Sequence, residues 1–142
     1  MKTVKQLLAE KAGAPVTVSP DTKVFDALKL MAEKNVGSVL VVVQGKLVGI
    51  MSERDYARKV TLFGKSSKEL AVQAIMTEKV FYVTPSQTVP ECMAVMTDKH
   101  IRHLPVLDGD RIVGVVSIGD VVKETISEQQ FIIQQLEHYI SS

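Results

Sequence analysis

Residues 102–120 read Arg-His-Leu-Pro-Val-Leu-Asp-Gly-Asp-Arg-Ile-Val-Gly-Val-Val-Ser-Ile-Gly-Asp, two apolar runs around an Asp-Gly turn that end in a Ser-x-x-Asp helix start. The same order stands 65 residues earlier, from Gly37-Ser38-Val39-Leu40 through the turn Gln44-Gly45-Lys46 to Ser52-Glu53-Arg54-Asp55. Worked outward, the match lays Val16 to Val60 on Phe81 to Thr125 without a gap, and ten of the 45 pairs are identical, among them Pro20/Pro85, Gly49/Gly114, Ser52/Ser117 and Asp55/Asp120. With a three-residue adjustment it continues upstream, where Val4 to Lys11 resembles Val72 to Lys79. The chain contains one unit twice, so function is to be sought in what the two copies build.

A long period present only twice does not suit a solenoid, whose units need several neighbours to bury their faces. The chain has 142 residues, 46% of them hydrophobic, and each half alone would be marginal. These figures predict one compact body of class α/β (α+β), in which two β-α-β-β-α repeats are related by pseudo-two-fold symmetry and terminal helices are added. The expected division is a single module over 1–142, with repeats at 14–62 and 79–126 and an amphipathic tail helix at 127–142. The lone Cys92 excludes an internal disulfide framework, and no stretch approaches the roughly 20 apolar residues of a membrane span. Met1 to Gly13 alternates charge and apolar residues in helical rather than secretory fashion, so a reducing, cytoplasmic setting is expected. A net charge of +1, from 17 basic and 16 acidic residues, supplies no global field for nucleic acid or an anionic membrane.

Within each copy the pattern predicts a short strand, a helix, a hairpin and a second helix. Val16-Thr17-Val18 reads as the opening strand and is followed by the breaker Ser19-Pro20. Val24, Ala27, Leu28 and Met31 then recur at helical spacing. Gly45 can take the positive φ that a tight hairpin needs. In the second copy Thr88-Val-Pro-Glu91 forms a capping box, with Pro90 in the first turn where no amide partner is required.

Together these elements, with Leu104-Pro105-Val106 before the turn and Ile112 to Asp120 after it, resemble the cystathionine-β-synthase (CBS) motif. Two tandem copies resemble the Bateman module, and the resemblance covers nearly the whole chain. Ala74-Ile-Met-Thr77 is similar to the segment that commonly introduces such a motif. Physics gives Ser52/Asp55 and Ser117/Asp120 a capping role at a helix start, and a capped helix start also offers free amides and a hydroxyl to an anion. The resemblance adds that the aspartates, Asp55 and Asp120, hold a ribose while Ser52 and Ser117 touch phosphate. It also implies an adenine slot lined by Thr17-Val18 and Tyr82-Val83, helped by Val39 and Leu104-Pro105, each of which reads equally as core.

Arg102-His103 precedes Leu104, and the resemblance implies that basic residues here point toward phosphates in a cleft between the motifs. Gly37-Ser38 occupy the matching positions, so two non-equivalent clefts are expected. Arg54, Arg58 and Lys59 either compensate in the first copy or solvate a helical face, where the second copy has Gly119, Lys123 and Glu124; a guanidinium suits bidentate phosphate binding. His100 and His103 have no further ligands at metal spacing, and no metal site is assigned. Cys92 lies on a helical core stripe rather than beside a base, and no acid or base is left to assign, so an enzyme is not expected.

The irregular Thr61 to Glu69 is a lid or a linker. In the tail, Ile126, Ile133, Leu136 and Ile140 form a stripe that calls for a cover, either the chain's own body or a second chain. The resemblance favours a homodimer. The expectation for function is a regulatory module that binds an adenine nucleotide, AMP or else ADP, ATP or NAD, and acts on an unknown partner protein by population shift. A ligand-independent scaffold is the alternative, and nucleic-acid or membrane binding is disfavoured.

Overall fold

Two hairpins organise the chain, and each is closed by residues that can sit at positive φ. In the computed structural model, which describes residues 1–11 and 13–141, β2 (Ser38–Val43) pairs antiparallel with β3 (Lys46–Ser52). Gln44 and Gly45 join them at φ 50 and 78, the paired left-handed conformation that matches the right-handed strand twist. The second hairpin joins β4 (His103–Asp108) to β5 (Arg111–Ser117), with Gly109 at φ 64.

The chain divides into two compact units. The first-repeat unit comprises Ala14–Phe81 with Leu107–Val113. Here β1 (Thr17–Val18) lies parallel to β2, Thr17 opposite Leu40 and Val18 opposite Val41, in a sheet of order β1-β2-β3. Helix α2 (Val24–Lys34) hides Val24, Ala27 and Met31 beneath it. With Val39, Val41, Met51, Val60, Val72 and Ile75 these form the core. Each side chain fully withdrawn from water contributes roughly 1.5–3 kcal/mol before entropy is charged against it.

The N-cap of α2, Lys23, offers no side-chain acceptor, yet the first amides are satisfied. Val24 N–H donates to the Leu70 carbonyl and Phe25 N–H to that of Ser67, both at 2.9 Å. The irregular stretch before Val72 therefore serves in part as a backbone cap for α2.

The second-repeat unit comprises Met1–Gly13, Tyr82–Val106 and Gly114–Ser142. Helix α1 (Val4–Glu10) starts at a capping box between Thr3 and Gln6 and buries Val4 and Leu7. Helix α4 (Val89–Lys99) starts at the expected box between Thr88 and Glu91, with Pro90 in its first turn. Both α2 and α4 end on a left-handed residue at the same repeat position, Asn35 (φ 53) and His100 (φ 55). Helix α5 (Ile118–Ser141) packs on α4 and runs for 24 residues, so the tail continues the repeat's last helix rather than forming a separate one.

The repeat is visible bond by bond. In the first unit the amides of Val72, Gln73 and Val24 donate to the carbonyls of Thr22, Pro20 and Leu70. In the second, the amides of Val4, Lys5 and Val89 donate to Gln87, Pro85 and Lys2. The segment Val4–Lys11 thus occupies in the second unit the place that Val72–Lys79 occupies in the first. One unit is completed by the residues that follow its hairpin, the other by residues more than 70 positions upstream.

Two expectations need correction. The opening strand of the second copy is reduced to one bridge, Val83 to Val106, and Tyr82 lies outside it, 54% exposed. The cause is Pro105. In the first copy Leu40 N–H donates to the Val16 carbonyl at 2.9 Å, whereas the matching Pro105 has no N–H and keeps only the acceptor role, taking the Val83 amide at 3.0 Å. The second helix of the first copy is also broken. Four residues of α3 (Glu53–Tyr56) pass into a π-helical turn, Ala57–Thr61, closed by Leu62 N–H on the Ala57 carbonyl at 3.2 Å. In this wider register Val60 enters the core while Lys59 reaches back to Asp55 and to the Ile75 carbonyl.

Candidate functional site

Each hairpin delivers a Ser-x-x-Asp box at the end of its second strand, and one backbone bond fixes it there. Glu53 N–H donates to the Gly37 carbonyl at 3.1 Å, and in the second unit Ile118 N–H donates to the Arg102 carbonyl at 2.8 Å. The start of each helix is thereby fastened to the start of the hairpin's first strand. Residues 38 and 103, the first of those strands, lie beside it; Ser38 is buried and His103 half-buried.

In the first unit Asp55 is surrounded by donors. Its Oδ2 accepts Ser52 N–H at 2.9 Å and Ser52 Oγ–H at 3.1 Å, while Asp55 N–H donates to Ser52 Oγ at 3.2 Å. Its Oδ1 takes Thr77 Oγ–H and Lys59 Nζ, each at 3.1 Å. The carboxylate is 13% exposed and engaged on both oxygens.

In the second unit the box is the same and its supporting cation is different. Ser117 N–H donates to Asp120 Oδ2 at 2.8 Å and Asp120 N–H to Ser117 Oγ at 3.2 Å. Lys11, at the C-cap of α1, places Nζ 2.8 Å from Asp120 Oδ2 and 2.8 Å from the Val115 carbonyl. Burial pushes the Asp120 pKa up, but the bonds from Lys11 and Ser117 outweigh it and hold the carboxyl below its ordinary value. Asp120 stays an anion with acceptor capacity at neutral pH, which suits it to a diol or an ammonium group.

The remaining expected residues fall into two groups. Val39, Val83 and Leu104 have no exposed surface, Pro105 is buried and Val18 half-buried, so they stand in the core beside the boxes. Thr17, Tyr82, Arg54, Arg58, Arg102 and Gly119 are exposed. Arg102 adjoins the second box through its carbonyl, whereas Arg54 lies in the first turn of α3, directly inside the first box. Among the described residues no group of three or more His, Cys, Asp or Glu is placed to hold a metal ion.

Two residues at the boxes were not singled out from the sequence as site residues, Lys11 and Thr77. The signal that reaches them is the weak match of Val4–Lys11 to Val72–Lys79. Both segments lie over the hairpin glycine of their unit: a Cβ on Gly114 would stand 2.7 Å from Leu8 Cδ2, and one on Gly49 would stand 2.6 Å from Met76 Sδ. The close approach explains why each β-strand carries glycine at that position.

This architecture has known counterparts. The chain is 44% identical over 133 residues to the CBS domain-containing protein CBSX3, mitochondrial, of Arabidopsis thaliana; the match covers 90% of this chain and 65% of that protein's length. A CBS-domain protein of Burkholderia ambifaria shares the fold at TM-score 0.85 and 50% identity, over 90% of this chain and 96% of that one. The CBS domain pair of protein MJ0100, solved in complex with 5′-methylthioadenosine and S-adenosyl-L-methionine, superposes at TM-score 0.78 with 25% identity, over 90% of this chain and 98% of that one. The CBS domain model matches twice, at residues 5–61 and 72–127, and with the duplicated hairpin and box this establishes that the chain belongs to the CBS-domain family and carries two copies of its motif in tandem.

Proposed function

We propose that the chain is a regulatory module of 142 residues that binds an adenine nucleotide at its Ser-x-x-Asp boxes and passes the occupancy to a partner protein. In this reading residues 14–62 and 79–126 are the two motifs and 127–142 a docking tail. The observation that carries it is the doubled box: two carboxyl groups, each fixed by a serine at a helix start and each beside a lysine. The adenosine moiety common to both ligands of the MJ0100 pair supports an adenosine-containing ligand here.

The division of labour is the one the family resemblance implies. Asp55 and Asp120 accept the ribose hydroxyls, and Ser52 and Ser117 approach the phosphate. Arg102 brings a guanidinium and His103 an imidazole to the second box alone, and Arg54 and Arg58 serve the first. Thr17, Tyr82 and Gly119, which are exposed, and the half-buried Val18 frame the base and sugar, with the buried Ser38, Val39, Val83, Leu104 and Pro105 as the wall behind them. AMP is the first choice, with ADP, ATP and NAD as competitors, since one or two cations suit a single phosphate.

No catalytic role is assigned. Cys92 is buried and its thiol pushed up to about 11, out of range of a nucleophile at neutral pH. No described helix is long and apolar enough to cross a membrane, and we place the module in the cytoplasm as a homodimer.

One observation favours a second reading. Asp55 is already engaged on both oxygens, and a ligand must displace Thr77 or Lys59 to reach it. A constitutive interaction module would keep these bonds permanently. Isothermal titration with AMP, ADP, ATP and NAD, alongside Asp55→Ala and Asp120→Ala, separates the two. Saturable heat lost site by site supports nucleotide binding, and no heat with any of the four supports the interaction module.

A further inference from the structure

Helix α5 leaves most of its length uncovered. Val121 and Glu124 are buried, but every residue from 129 to 141 is exposed. Five of the exposed apolar side chains are ordered. Ile126, Ile133 and Ile140 recur every seven residues, and Val122 and Leu136 fall four residues before the first and three after the second, the two core positions of a heptad. Ile126 is 49% exposed, Leu136 56% and Ile140 81%. From Val122 to Ile140 the stripe runs about 27 Å along the helix.

We infer that the occupant of this stripe is the same stripe of a second copy, running antiparallel. This rests on the homodimer reading and specifies its geometry. In that arrangement Ile126 of one copy meets Leu136 of the other, Val122 meets Ile140, and Gln129 meets Ile133, each contact made twice by symmetry. The flanking residues decide the direction. Lys123 of one copy lies opposite Glu137 of the other at both ends, Ile132 meets Ile132 on the two-fold axis, and the helix dipoles oppose. A parallel pair would set Ile132 beside Glu137 and Lys123 beside Ile118, with no opposite charge for either ion. The core positions of the stripe carry no charge that a differently charged partner would complement.

Variants of the full chain with one added cysteine test both the contact and its direction, with the unsubstituted chain, whose Cys92 is buried, as control. Under mild oxidation neither Ile126→Cys nor Leu136→Cys links to itself, whereas an equal mixture of the two yields a disulfide-linked dimer. Glu137→Lys raises the dimer Kd by about tenfold, and adding Lys123→Glu in the same chain restores it. Self-linking of Leu136→Cys overturns the antiparallel arrangement. A dimeric mass by light scattering with no mixed disulfide removes the stripe from the interface while leaving the dimer; a monomeric mass removes both.

Discussion

Lys11 Nζ stands 2.8 Å from Asp120 Oδ2, a salt bridge between residues 109 positions apart that fastens the N-terminal helix to the box of the second repeat. Both side chains are partly exposed, at 37% and 24%, so its strength is that of a surface pair. Lys11→Met keeps the aliphatic stem and removes the charge; it is expected to cost about 0.5–1 kcal/mol at neutral pH. Because the folded Asp120 titrates below its ordinary value of 3.8, its contribution is complete above that value and is lost as pH falls through the lowered one. Urea midpoints below about pH 4 should therefore drop less steeply in Lys11→Met than in the parent. Parallel pH profiles would show that the bridge does not hold the carboxylate.

Gly114 lies against Leu8, with both Cδ atoms within 2.9 Å of a built Cβ. Gly114→Ala is expected to destabilise by about 1–3 kcal/mol, the range for overpacking. Adding Leu8→Ala should recover part of that loss, giving a double-variant cost well below the sum of the singles. Additive costs in urea unfolding would place the strain elsewhere.

Removal of residues 2–11 takes away Val4 and Leu7 and the backbone bonds to Pro85, Gln87 and Val89. Hydrogen exchange should quicken in α4 and in the buried first turns of α5. Protection at Leu40 and Ile50, whose amide partners Val16 and Thr77 lie in the first-repeat unit, should hold. Uniform loss of protection would show that the two units open together.

Cys92 is fully buried and its thiol is pushed up to about 11, chiefly by burial. A thiol reagent at pH 8 should react with it at a rate limited by unfolding, and rapidly once urea is present. Fast reaction with the native protein would require an opening that exposes α4.

Local patterns carried most of the architecture into view. The hairpins were legible because β-branched runs flank Gly45 and Gly109, and the boxes because Ser52/Asp55 and Ser117/Asp120 interact three residues apart. What escaped was non-local. The lost strand at Tyr82 depends on Pro105, more than 20 positions on, having no amide to give. The π-helical turn at Ala57–Thr61 reflects Val60 and Lys59 being drawn to opposite surroundings. Lys11 and Thr77 reach the aspartates only through tertiary structure, and nothing in their immediate neighbours announces it.

The placement of Val4–Lys11 in the second unit gives the chain an order of assembly. On the ribosome the first-repeat unit has its completing segment as soon as Lys79 emerges, and all but its Leu107–Val113 tip can form while synthesis continues. The second unit must wait for α5, although its own edge piece is made ahead of the first repeat. Closing that piece onto Pro85 and Gln87 spans 80 residues or more, and onto Asp120 more than 100. Such distant closures slow folding. Throughout that interval Val4 and Leu7, buried in the finished unit, lack the residues that cover them, so an apolar segment made ahead of the first repeat stays uncovered until α5 arrives.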